Sequence, residues 1–86
     1  MPTLLVFHEG DDVDHWLASS KREELFGPMG MTARAFRDVQ GSNRVGLIVE
    51  VPDVETWDRA LQTPEAADAM KHDGVRPETI VGMVEG

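Results

Sequence analysis

Asp12-Val13-Asp14-His15-Trp16 and Asp53-Val54-Glu55-Thr56-Trp57 share one pattern, Asp-Val-acid-x-Trp, forty-one residues apart. Each copy follows an apolar run and opens a stretch with helical spacing. An Asp side chain accepts hydrogen bonds from the free amides of a first helical turn, so each copy reads as a capped helix start, with Asp11 or Asp12 as the cap of the first. Acids at positions 14 and 55 suit the positive end of the helix dipole. A strand-helix-strand unit used twice predicts a ferredoxin-like split fold of order βαββαβ, in the α+β class.

Working outward from the first copy, Thr3 to His8 is a short run of strand formers between Pro2 and Glu9-Gly10-Asp11. Behind the cap, Val13, Trp16, Leu17 and Ser20 follow one helical face. Leu25 and Phe26 leave that stripe, which predicts a bend there before Gly27-Pro28 ends the helix. Thr32 to Asp38 reads as a second strand, with Ala33, Ala35 and Arg37 on one face and Arg34, Phe36 and Asp38 on the other. Gly41-Ser42-Asn43 supplies a turn, and Val45 to Val51 a third strand antiparallel to the second. The second copy then carries Val54, Trp57 and Leu61 along a helix. Thr63-Pro64-Glu65 is a fresh helix start, with proline at the first helical position. Ala66, Ala67 and Met70 continue an apolar face to a left-handed cap at Gly74. Thr79 to Val84 is the expected last strand of a four-stranded antiparallel sheet.

Eighty-six residues suit one domain over 1–86, with 41% hydrophobic and 28% charged side chains. Sixteen acids against eight bases give a net charge of -8, which argues against nucleic acid and anionic membrane surfaces as partners. No stretch has the length of a membrane span. Met1 to His8 lacks the basic start of a signal peptide, so a cytoplasmic location is expected. Cysteine is absent, which excludes disulfides and thiolate metal sites. Leu4 and Val6 alternate with Leu5 and Phe7, and Ile48 lies opposite Val45, Leu47, Val49 and Val51. Both sheet faces therefore need cover, and helices on one side shield only one. A homodimer through the other face is the expectation.

Phe7-His8, Trp16, Phe36-Arg37-Asp38 and Asn43-Arg44-Val45 together resemble the dimeric α/β-barrel superfamily. So does the stretch from Thr63-Pro64-Glu65-Ala66 through Met70 to Gly74-Val75 and Pro77. That group includes antibiotic-biosynthesis-type monooxygenases, polyketide cyclases and haem-degrading enzymes. The resemblance spans nearly the whole chain and implies a dimeric barrel with a small-molecule cleft between sheet and helices. Two departures bear on activity. Ala69 stands where haem-degrading members carry a histidine, and Ala66 where barrel-type cyclases carry one. Neither specific reaction carries over.

His8 shares its strand face with Leu4 and Val6, so its imidazole is a candidate acid or base in that cleft. Hydrogen bonding at a strand end explains it equally. His72 is a candidate auxiliary, although the negative end of a helix also favours a histidine there. Trp16, Trp57, Phe36 and Met70 are candidate pocket walls for a hydrophobic or aromatic ligand, and core packing is their plain alternative. Arg34 is a candidate anchor for an anionic group, or a solvated edge-strand arginine. His8, Glu9, Asp11, Asp14 and His15 have no recognised ligand spacing, so neither metal nor other cofactor is expected. Three functional classes remain open: a monooxygenase-like or cyclase-like enzyme, a non-catalytic ligand-binding dimer, and a structural dimer.

Overall fold

The computed structural model describes residues 2–86, and in it both aspartates cap their helices as the repeat implies. Asp12 accepts from the His15 amide at 3.1 Å and Asp53 from the Thr56 amide at 2.7 Å. The elements run β1 (Thr3–Glu9), α1 (Val13–Ala18), α2 (Lys21–Phe26), β2 (Thr32–Arg37), β3 (Arg44–Glu50), α3 (Val54–Leu61), α4 (Pro64–Asp73) and β4 (Val81–Val84). The sheet order is β2-β3-β1-β4, antiparallel throughout. This is the ferredoxin-like α+β arrangement, with all the helices on one face.

Strands β1, β2 and β3 match the expectation to within one residue at each end, and two boundaries differ by more. The first helix breaks at Ser19-Ser20 rather than bending at Leu25. The Ser19 hydroxyl accepts from the Lys21 amide at 3.2 Å, and the Ser20 carbonyl starts a new helix by accepting from Glu24 at 3.0 Å. Serines compete for backbone groups in this way, which makes them poor interior and good terminal residues. The last strand begins at Val81, not Thr79. Pro77 opens a 3-10 turn over Pro77–Thr79, and the Thr79 hydroxyl donates to the Arg76 carbonyl at 2.6 Å.

The core lies between the sheet and the helices. Leu4, Val6, Val45, Leu47, Val49 and Val51 from the strands meet Trp16, Phe26, Trp57 and Ala60 from the helices. Phe26 and Trp57 approach at 5.6 Å between ring centroids, tying α2 to α3. The opposite face is open. Phe36, Gly46, Phe7 and Val81 form one cross-strand row, and Arg34, Ile48, Leu5 and Met83 the next. Leu5, Phe7, Phe36, Val81 and Met83 are all exposed there. The Phe7 ring lies across Gly46, within van der Waals reach of where a Cβ would stand, at 3.6 Å.

Gly74 joins the end of α4 to β1. Its φ of 73° is left-handed, and its carbonyl accepts from the Asp11 amide at 2.9 Å. Arg76 returns the link, its amide donating to the Glu9 carbonyl at 3.0 Å. The end of α4 is thereby fixed beside the end of β1, where His8 lies.

Candidate functional site

Strand alternation puts His8 on the helix side of the sheet, and burial there is nearly complete, at 5% exposure. Its Nδ1 lies 3.2 Å from the Glu9 carbonyl oxygen. A carbonyl only accepts, so Nδ1 carries the proton and the neutral ring keeps its lone pair on Nε2. Burial holds the imidazole below its ordinary value of 6.5; the Glu9 bond opposes this and the charge of Arg22 adds to it. At neutral pH His8 is thus an uncharged base.

The His8 ring meets Trp16 edge-on at 5.2 Å, and the Arg22 guanidinium lies 4.7 Å over the same indole. These three side chains line a partly open cavity of about 70 Å³. Val6, Leu47, Trp57, Met70 and Asp73 also line it. A water's share of liquid volume is about 30 Å³, so the space equals roughly two waters. Leu25 and Ala69 line both this cavity and a surface groove between α2 and α4.

Of the residues singled out in the sequence, His8, Trp16, Trp57 and Met70 come together here. Arg34, Phe36 and His72 do not. Ala33 and Ala35 point to the helices, so Arg34 and Phe36 fall on the open face, with the guanidinium 5.5 Å from the Phe36 ring. His72 is exposed on the outer side of α4. Its Nδ1 donates to Asp73 at 2.8 Å, and its backbone carbonyl accepts from Nε2 of His15 at 3.0 Å. His15, His72 and Asp73 hold donor atoms within 4.8 Å of one another. Those hydrogen bonds already engage them, and the group works as a latch between α1 and α4.

The cavity also holds two groups that the sequence reading passed over, Arg22 and Asp73. Arg22 precedes Phe26 by one helical turn, so its place on the inner face was available once the break at Ser20 was known. Asp73 continues the face of Ala66 and Met70 at helical spacing and is 4% exposed. Burial lowers the pKa of Arg22, against the opposing charges of Asp73 and Glu23; a guanidinium nevertheless stays protonated.

No protein-family model matches the chain, and no curated protein matches it. Solved structures do. A structure described as an antibiotic biosynthesis monooxygenase superposes with a TM-score of 0.64 at 13% identity, covering 100% of this chain and 97% of that one. The two share the ferredoxin-like α+β fold. A protein from Agrobacterium tumefaciens gives 0.64 at 12% identity, covering 100% and 92%. A dimeric ferredoxin-like protein of unknown function from Jannaschia gives 0.60 at 15% identity, covering 99% and 97%. Among the described residues, no helix is long and apolar enough to cross a membrane.

Proposed function

We propose that the protein is a cytoplasmic homodimer that binds a small hydrophobic or aromatic molecule between sheet and helices. It acts on that molecule as a monooxygenase-like or cyclase-like enzyme without a bound cofactor. His8 is the general base. The observation that carries this reading is an uncharged imidazole, Nδ1 held by a backbone carbonyl, buried in an apolar cavity beside Trp16. A neutral lone pair among apolar side chains takes a proton from a bound C–H or O–H without first losing a proton of its own. Arg22 disfavours the imidazolium that results, so the loaded ring returns its proton readily. Trp16, Trp57 and Met70 position the substrate.

His8→Gln keeps the ring's approximate volume and removes the base. Turnover should fall by about 10²–10⁴-fold, with the melting temperature little changed. Full turnover in that variant on a cognate substrate rejects the assignment.

The size of the cavity, about 70 Å³, favours a second reading. So small a space suits a non-catalytic regulatory dimer that holds only part of a ligand. That reading expects saturable binding and no product by mass spectrometry after long incubation.

A further inference from the structure

One Arg22 guanidinium nitrogen, Nη1, is buried in the cavity wall without any hydrogen-bond partner among the described residues. A buried charged donor left unpaired is costlier than a neutral one, and arginine cannot escape by losing its proton. Asp73 is the opposing charge that acts on it most strongly, yet no Arg22–Asp73 ion pair forms among the described residues, and one Asp73 oxygen accepts from His72 at 2.8 Å. The guanidinium carbon lies 4.7 Å from the centre of the Trp16 ring, so the unpaired Nη1 edge is the part left to donate to a ligand. The remaining walls are nearly all apolar, so this edge is the feature that would orient a ligand.

We infer that the cavity takes the carboxylate head of a small organic acid, held by the edge of Arg22, with the rest of the ligand leaving between α2 and α4. The inference rests on the cavity being the ligand site. Three observations fix the ligand class. Volume comes first: about 70 Å³ admits a head of roughly three or four heavy atoms where about two waters would fit. Charge comes second: one cation, with the Asp73 carboxylate also in the lining, holds at most a monoanion and disfavours a phosphate dianion. Shape comes third: a guanidinium fork matches the two oxygens of a planar carboxylate. The exit is the groove at Leu25 and Ala69, which gives an apolar or aromatic tail its path outward.

Acetate and benzoate, with acetamide and benzamide as neutral isosteres, are titrated into the full chain and followed by tryptophan fluorescence and calorimetry. The carboxylates should bind more tightly than the amides. Arg22→Gln should weaken carboxylate binding by about 10- to 100-fold and leave the amides unchanged. Arg22→Lys, which keeps the charge and loses the fork, should fall between. The preference of the unaltered protein for acid over amide needs no variant, so a misfolded substitution does not shield the claim. Equal binding of acetate and acetamide overturns the inference, because water then satisfies Arg22. So does an acid preference that survives in Arg22→Gln, or inorganic phosphate binding more tightly than acetate. His8→Gln separates the two claims: acid preference retained there supports the carboxylate site whether or not His8 is the base. Benzamide binding as well as benzoate would reject the carboxylate site and keep the ligand cavity.

Discussion

His8 and Trp16 meet edge to face, with ring centroids 5.2 Å apart, although one lies near the end of β1 and the other inside α1. The contact arises from two local rules acting together. Strand alternation turns His8 inward, and the Asp12 cap sets the phase of the helix that carries Trp16.

Trp16 should therefore be the most costly single residue at the site. It is nearly fully buried and touches both His8 and Arg22. Trp16→Ala should lose about 3–5 kcal/mol, in line with large aromatic truncations. Against a total of about 5–15 kcal/mol for a small domain, that threatens folding itself. Urea denaturation followed by circular dichroism measures the loss. A change below about 1 kcal/mol would show that the indole contributes little to the core.

His8 should make stability depend on pH in a defined window. Its native pKa lies below the ordinary 6.5 because burial disfavours the cation. The unfolded chain therefore binds a proton that the native chain refuses. His8's contribution is full above about 6.5 and is lost as pH falls toward the native value, with a slope of at most about 1.4 kcal/mol per pH unit. Asp38 and Asp53 also have lowered values, but from 3.8, so their losses come at more acid pH. Urea midpoints between pH 7.5 and 5 should fall in the unaltered protein and fall less in His8→Gln. Parallel curves would reject the burial argument.

The fold was legible where short-range rules suffice. The repeated Asp-Val-acid-x-Trp gave both helix starts, and the alternation of Val45, Leu47, Val49 and Val51 gave the buried face. Thr63-Pro64 gave the start of α4, where the Thr63 hydroxyl accepts from the Ala66 amide at 3.1 Å. The site was legible only in part. His8, Trp16, Trp57 and Met70 follow from the face each occupies. Arg22 does not, because its direction depends on where one helix ends and the next begins, and Ser19-Ser20 permits either a break or a continuous turn. Asp73 reads as the solvated end of a helix until the Gly74 to Asp11 bond draws it against β1.

That junction supplies a sharp contrast between two glycines. Gly74 is left-handed at φ 73°, and an added Cβ would lie 3.2 Å from the Asp11 Cβ. Gly74→Ala should cost more than about 1 kcal/mol. Gly27 has helical geometry at φ -53° and open space around it. Gly27→Ala should be neutral or stabilise by about 0.4–1 kcal/mol. Thermal melts of the two variants should move in opposite directions or differ clearly. Equal shifts would remove the case for a conformational role at Gly74.

The open sheet face leads to the last prediction. Leu5 and Phe7 are 41% and 43% exposed in the lone subunit, with Val81 and Met83 at 51% and 50%. Those four side chains adjoin in two neighbouring rows, so they form one patch rather than scattered exposures. Fully burying a side chain of this size is worth about 1.5–3 kcal/mol, and these are already half covered, so each gains only part of that. Several together, on a two-fold interface that counts each residue twice, still favour association at micromolar concentration. Phe7 is central, lying between Gly46 and Val81. Phe7→Asp places a carboxylate in the middle of the apolar patch, where burial against a second copy would cost its hydration. Sedimentation should give a dimer for the unaltered chain and a monomer for Phe7→Asp, with the monomer still folded by circular dichroism. A lone subunit in the unaltered protein at micromolar concentration would mean that the patch stays wet, and the face would need another explanation.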